Sequence, residues 1–314
     1  MLKVGLVGLG GISGAHIPSW KETEGAELVA VCDVRPEQLA HAEGLRQYTD
    51  FHQMLDEENL DILDICLPTF LHTKFAVEAM ERGIHVLCEK PVSLEIEDVD
   101  LLYRTAEKNG VKFMVAQVIR FWPEYQLLKE IYDTKRYGKL LSGEMERLGV
   151  HPKWSWDSWM MDEKRSGAVP FDLHIHDLDF AVYAFGAPSK VTHFRSKRPD
   201  QDYLNAVYSY PEFSITTEAS WYAAGYPFHM SFRFQFEDAV AAYENGKMSI
   251  YLRDDRVICP FEEANAGEFS QLPQGSGYTN EIQYFVDCVR YDRPQTIVKQ
   301  GELETVLQIL KQLD

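Results

Sequence analysis

The sequence predicts an α/β protein in two parts, a doubly wound parallel sheet followed by a second domain with an antiparallel sheet. Three observations predict it. Short apolar runs alternate with helical stretches through residue 118, the pattern of βαβ units. The first run leads at once into a glycine-rich turn and a helix. Beyond residue 189, alternating apolar and polar segments are broken by Gly, Pro and Asn-Gly, as half-buried antiparallel strands require.

Composition sets the outer limits. The 314 residues are 45% hydrophobic and 25% charged, enough for two cores. A formal net charge of -18 offers no counter-charge to nucleic acid or an anionic membrane surface, so neither is expected as a partner. Five cysteines (Cys32, Cys66, Cys88, Cys259, Cys288) make an odd count without a CxxC. They read as reduced residues of a cytoplasmic protein, not as a disulfide frame or zinc site. No leader pattern and no apolar run of about 18 residues is present, so no secretion signal or membrane span is expected.

Leu2–Val7 reads as a buried parallel strand, and Gly8-Leu9-Gly10-Gly11-Ile12-Ser13-Gly14 precedes a helix over Ala15–Thr23. Gly8 allows a tight turn and Gly10 lets the backbone approach a pyrophosphate, with the helix N-terminus supplying unpaired N–H groups. Ser13 stands where the fingerprint has Gly or Ala, and is still small. Strand Glu27–Cys32 ends at Asp33, the spacing of an acidic residue that takes a ribose 2′-hydroxyl and favours NAD over NADP. Arg35 could pack on adenine or reach a phosphate. A plain N-cap for a helix from Pro36 to about Arg46 is the alternative for Asp33.

A short helix over Phe51–Leu55 precedes a strand over Asp61–Leu67 that closes with Pro68-Thr69. A helix over Phe70–Arg82 ends at Gly83, and strand Ile84–Leu87 leads into Cys88-Glu89-Lys90-Pro91. Lys90 thus follows a buried strand, where open α/β sheets keep their chemistry. An ammonium there can stabilise an alkoxide, and Pro91 restricts its backbone; a solvated lysine at a strand exit is the plainer alternative. Helix Leu94–Asn109 and strand Val111–Gln117 complete the first part.

The second part begins with helix Pro123–Tyr132 and strand Leu140–Val150, then an aromatic loop with His151, Trp154, Trp156 and Trp159. Helix Phe171–Phe185 carries Asp172 and His176 at i and i+4, on one face. A histidine beside a carboxylate suits a general base, and an exposed ion pair is the alternative. His174 points away from His176 on a regular helix, which disfavours a metal. Segments 205–210, 214–221, 229–236, 239–243 and 248–252 read as strands, 261–276 as loop, and 279–290 and 300–313 as closing helices.

Gly8-x-Gly10 with Asp33, Cys66-Leu67-Pro68-Thr69-x-x-His72, Gly83-x-His85-Val86-Leu87-x-Glu89-Lys90-Pro91 and Asp172-x-x-x-His176-Asp177 together resemble the Gfo/Idh/MocA family. Its type members are glucose–fructose oxidoreductase and inositol dehydrogenase. The resemblance implies an N-terminal Rossmann domain over 1–118. It also implies a substrate-binding and oligomerisation domain over 119–314 on a large, mostly antiparallel open sheet, with the closing helices free to return to the first. It implies homodimers or homotetramers. Lys90, Asp172 and His176 match the catalytic residues. NAD contacts are expected at Gly8, Gly10, Gly11, Ile12, Asp33, Arg35, Pro68, Thr69, His72, Glu89, Lys90 and Gln117. Substrate contacts are expected at Lys90, Arg120, His151, Trp154, Trp159, Asp172 and His176. Core or dimer packing is the alternative for the aromatic loop.

The activity so implied is hydride transfer between nicotinamide and a secondary alcohol of a sugar or cyclitol. His176 would take the hydroxyl proton, Asp172 would orient His176 or the hydroxyl, and Lys90 would stabilise the oxygen. The alternatives are an NAD-assisted glycosidase, a keto-sugar reductase and a nucleotide sensor without catalysis.

Overall fold

The structure, a computed structural model, describes residues 1–40, 42–262 and 275–313. Most of the loop expected over 261–276 lies outside them. The chain divides into two compact units. The first comprises Met1–Phe121, Lys164–Ser166 and Gly275–Glu304, and the second takes the remaining described residues.

The first unit is built on six parallel strands: β1 (Leu2–Val7), β2 (Ala26–Cys32), β3 (Arg46–Tyr48), β4 (Ile62–Ile65), β5 (His85–Glu89) and β6 (Phe113–Ala116). Their order is β3-β2-β1-β4-β5-β6. The order reverses between β1 and β4, the switch point where such sheets bind ligands beyond their carboxyl ends. Helices α1 (Ser13–Glu22), α2 (Pro36–Leu39), α3 (Phe51–Glu57), α4 (His72–Glu81) and α5 (Ile96–Asn109) connect the strands. Every residue of β4 and β6 is buried, as in a sheet covered on both faces.

The helix after β2 departs from expectation. The stretch expected from Pro36 to Arg46 is helical only over Pro36–Leu39, and Arg46–Tyr48 is a strand. Helix α2 ends at Leu39 with Ala40 as its C-cap, and Gly44 beyond it takes φ +84°, outside helical geometry. Arg46–Tyr48 then pairs with the edge of β2, Ala30 against Arg46 and Cys32 against Tyr48. Ladder hydrogen bonds outweigh a weak helical pattern there.

The second unit carries α6 (Pro123–Thr134), β7 (Leu140–Val150), α7 (Glu163–Ser166, shared with the first unit at 164–166) and α8 (Ile175–Phe185). The strands β8 (Lys190–Arg198), β9 (Gln201–Ser209), β10 (Ser214–Tyr222), β11 (His229–Phe236), β12 (Ala239–Glu244), β13 (Lys247–Leu252) and β14 (Val257–Ile258) follow. Eight strands lie in the order β14-β13-β12-β11-β7-β10-β9-β8. All pairs are antiparallel except β10 on β7. Inward positions alternate with outward ones; in β9 they are Asp202, Leu204, Ala206 and Tyr208. The core is aromatic: the Tyr125 ring sits 4.9 Å from Phe180 and 5.0 Å from Phe232, both edge-on. The helices α9 (Gly277–Arg290) and α10 (Gln300–Leu310) close the chain. No helix among the described residues is long and apolar enough to cross a membrane.

The helix expected over Phe171–Phe185 begins differently. Pro170–His174 is a π-helical turn, and regular α-helix starts at Ile175. Gly167 and Ala168 precede it at φ +73° and +53°. A Cβ on Gly167 would come within 2.4 Å of the Phe171 ring, so glycine lets the chain pass under Phe171.

Candidate active site

The turn from β1 into α1 is open. Gly8 takes φ +96°, and a Cβ there would lie 2.5 Å from the Cys66 carbonyl oxygen, so only glycine fits. Gly10 and Gly11 are exposed, and a Cβ on Gly10 would meet nothing within 4 Å. The buried Ser13 hydroxyl donates to the Gly10 carbonyl at 2.7 Å, so the serine closes this turn. Helix α1 has no side-chain cap at Ile12 and no acidic residue in its first turn. An open glycine turn at the uncapped positive end of a helix fits a pyrophosphate.

Asp33 is buried just past β2. Its Oδ2 accepts the Leu9 N–H at 2.8 Å. Arg35 donates from Nε to Oδ1 at 3.0 Å and from Nη2 to Oδ2 at 2.9 Å. Burial pushes the Asp33 carboxyl up, but the Arg35 and Leu9 hydrogen bonds and the Arg35 charge outweigh it and hold the group below its usual range. The N-cap position of α2 is Arg35, so Asp33 is not that helix's cap.

At the end of β5, the Lys90–Pro91 peptide is cis and Lys90 is half-buried. The Lys90 backbone N–H donates to Glu89 Oε2 at 3.0 Å. Glu89 Oε1 lies 2.9 Å from His16 Nε2, and His16 Nδ1 lies 2.8 Å from Asp64 Oδ2. Burial opposes charging His16, yet Asp64 raises its pKa well above the ordinary value, by charge and by hydrogen bonding. Sequence reading missed this group. Its signal is Asp64, a charge inside the otherwise apolar Ile62–Ile65.

The turn at Gly8–Ile12, Asp33, Pro68-Thr69 and Glu89-Lys90 thus follow β1, β2, β4 and β5, at the carboxyl end of one sheet. Gln117 follows β6 and is buried. Two expected contacts read differently. His72 is 1% exposed, with Nδ1 2.8 Å from the Pro91 carbonyl and Nε2 2.7 Å from that of Leu67. It joins the loops after β4 and β5 from within, and burial pushes its pKa below the usual value. Arg120, expected at the substrate, is 1% exposed. It donates to the Ile297 carbonyl at 2.7 Å and pairs with Glu302. A cation so enclosed holds the 275–304 segment to the first unit, not a ligand.

In the second unit, Asp172 lies in the π-helical turn and His176 in the first turn of α8, both half-buried. Arg147 of β7 supports α8. Its Nη2 donates to Asp177 Oδ1 at 2.8 Å and to the Tyr125 hydroxyl at 3.3 Å. Burial pushes the Asp177 carboxyl up, with Arg147 pulling against it. His174 is fully buried and bonds the Tyr208 hydroxyl through Nε2. Burial, then the Arg147 charge, push its pKa down to about 3, so the ring is neutral.

The aromatic loop divides. Trp154 is 69% exposed and takes no part in a core. Trp159 is half-buried. His151 is buried edge-on to Trp221, with centroids 5.9 Å apart, and its N–H extends the β7–β10 ladder to the Tyr222 carbonyl. That position gives it a packing contact with Trp221, while its Nδ1 is buried without a hydrogen-bond partner.

Comparison with known proteins matches two segments of the chain. Residues 2–117 match a family model described as an oxidoreductase family with an NAD-binding Rossmann fold, and residues 125–241 match a GFO/IDH/MocA C-terminal domain. A 2,7-anhydro-N-acetylneuraminate hydratase of Mediterraneibacter gnavus is 32% identical over 55% of this chain and 46% of its own. A myo-inositol 2-dehydrogenase of Thermotoga maritima is 30% identical over 59% and 55%. The chain spans about half the length of the curated relatives it matches. Among solved structures, a levoglucosan dehydrogenase with NADH and levoglucosan superposes with a TM-score of 0.82 at 20% identity, over 99% of this chain and 96% of that one.

Proposed function

The chain belongs to the Gfo/Idh/MocA oxidoreductase family, and we propose that it transfers hydride between a nicotinamide dinucleotide and a secondary alcohol of a sugar or cyclitol. The observation that carries this reading is the open glycine turn, with Asp33 and Lys90 beyond the same carboxyl ends of one parallel sheet. The bound dinucleotide supplies the hydride acceptor at its nicotinamide ring. The Gly8–Ile12 turn binds its pyrophosphate, and Asp33 takes the adenosine ribose and favours NAD. Pro68, Thr69 and Gln117 line the same strand ends. Lys90 stabilises the substrate oxygen as charge develops, His176 holds the hydroxyl proton, and Asp172 orients His176. Trp154 and Trp159 offer aromatic faces to the C–H face of a sugar. Relatives named as dehydrogenases of inositol, D-apiose and glucose 6-phosphate support the substrate class.

Self-association through the open sheet belongs to this reading, supported by the exposed Phe194 and Tyr251. So does a reducing cytoplasm, supported by five free cysteines, four of them buried. A second reading, with no net cofactor reduction, is favoured by the relative named as a hydratase. The deciding measurement is nicotinamide absorbance with NAD⁺ and a panel of inositols, aldoses and sugar acids. Lysine-dependent NADH formation supports the dehydrogenase. Tight NADH binding with substrate consumed and no net NADH supports the second reading.

A further inference from the structure

No step above uses His16. The residue is wholly buried on α1, with Asp64 Oδ2 2.8 Å from Nδ1 and Glu89 Oε1 2.9 Å from Nε2. A neutral imidazole donates from one nitrogen only. Two carboxylate oxygens at these distances call for two donors, which makes the ring an imidazolium between two carboxylates. Trp20 Nε1 donates to Asp64 Oδ2 at 2.7 Å. Cys66 Sγ lies 3.7 Å from Asp64 Oδ1, and the Tyr278 ring lies 5.7 Å from the imidazole.

We propose that His16 is a positioning residue for Lys90, acting through Glu89. One Glu89 oxygen is tied to His16, and the other accepts the Lys90 backbone N–H at 3.0 Å. Asp64, in the strand beside β5, holds the far side of the ring. A side chain on α1 thereby fixes the backbone from which Lys90 is presented. A Glu89 carboxylate without this partner is free to turn, and small displacements of a catalytic group cost large factors in rate. The inference rests on the proposed role of Lys90. His16, Asp64 and Cys66 also bring potential ligand atoms within 4.8 Å of one another. A cation site fits less well, because burial pushes the Cys66 thiol up to about 12 and both imidazole nitrogens already face carboxylates.

The test reads the state of His16 and its effect on Lys90 in the full chain. Long-range ¹H–¹⁵N spectra at pH 8 are expected to show both His16 nitrogens protonated; a neutral ring overturns the proposal. His16→Gln is paired with His16→Gln/Asp64→Asn, which removes the unbalanced carboxylate should the single variant fold poorly. In whichever folds, amide exchange at Lys90 is expected to quicken. kcat is expected to fall about tenfold or more, while the NADH Kd stays within about threefold. Unchanged Lys90 exchange and kcat in a folded variant overturn the proposal, and so does stoichiometric metal in the purified protein. Lys90→Ala separates the two readings. Should it turn over normally, the role of Lys90 fails, while the spectra and amide exchange still decide whether His16 fixes that backbone.

Discussion

Arg147 and Asp177 form an ion pair at 2.8 Å with side chains 3% and 0% exposed. Removing one partner leaves the other charged and enclosed, which costs about 3–5 kcal/mol. Asp177→Ala is therefore expected to lower the denaturant midpoint sharply. The double change Arg147→Met/Asp177→Leu is expected to recover most of that loss. Urea unfolding of the three proteins checks it, and a single variant as stable as the parent would contradict the account.

Asp33 holds the Arg35 guanidinium through two side-chain hydrogen bonds. Asp33→Ala removes a carboxylate that repels a 2′-phosphate and leaves the Arg35 charge beside that position uncompensated by it. NADPH affinity is expected to rise about tenfold, roughly 1.4 kcal/mol, while NADH affinity falls. Fluorescence titration with both cofactors decides; equal affinities in the parent would count against the role given to Asp33.

Buried His174 gives the protein an acid-side weakness. Its folded pKa is down to about 3, against an ordinary 6.5. The unfolded chain binds the proton first, so stability falls as pH drops below 6.5, by up to about 1.4 kcal/mol per pH unit. A lowered Asp33 adds a loss at more acid pH, as its carboxylate protonates. His16 has the opposite sign: its raised pKa adds stability that is lost as pH rises through the folded value. His174→Gln is expected to flatten the profile between pH 6.5 and 4 in urea unfolding, with a parent-like slope contradicting it.

Trp154 is exposed and contributes little packing. Trp154→Ala is expected to leave the melting temperature within about 2 °C and raise KM for sugar several-fold, with kcat less affected. Steady-state kinetics beside a thermal melt distinguish this from a packing role, which would move the melt and spare KM.

Strands were legible where the chain had one pattern to obey. Leu2–Val7 and Leu140–Val150 have the bounds read from periodicity alone. Strand β3 was not legible, because Arg46-Gln47-Tyr48 carries no alternation of its own and is a strand only through the edge of β2. Gly8, Asp33 and Lys90 stood out because the signal that marks them is local spacing. His16, Asp64 and Arg147 did not, and Asp177 stood out only within the Asp172-x-x-x-His176-Asp177 motif, because charges that neutralise one another are joined by tertiary packing between elements distant in sequence. The surroundings of Arg120 and His151 were not legible for the same reason: each side chain makes an interior contact that only the folded chain creates.

The place of β7 bears on how the protein emerges from the ribosome. The strand ends at Val150, and its two neighbours are β10, beginning at Ser214, and β11, beginning at His229. At roughly 5–20 residues per second, β7 waits several seconds after synthesis before either flank exists to receive it. Both its edges are open during that interval, two rows of unpaired N–H and C=O groups that any other extended chain can meet.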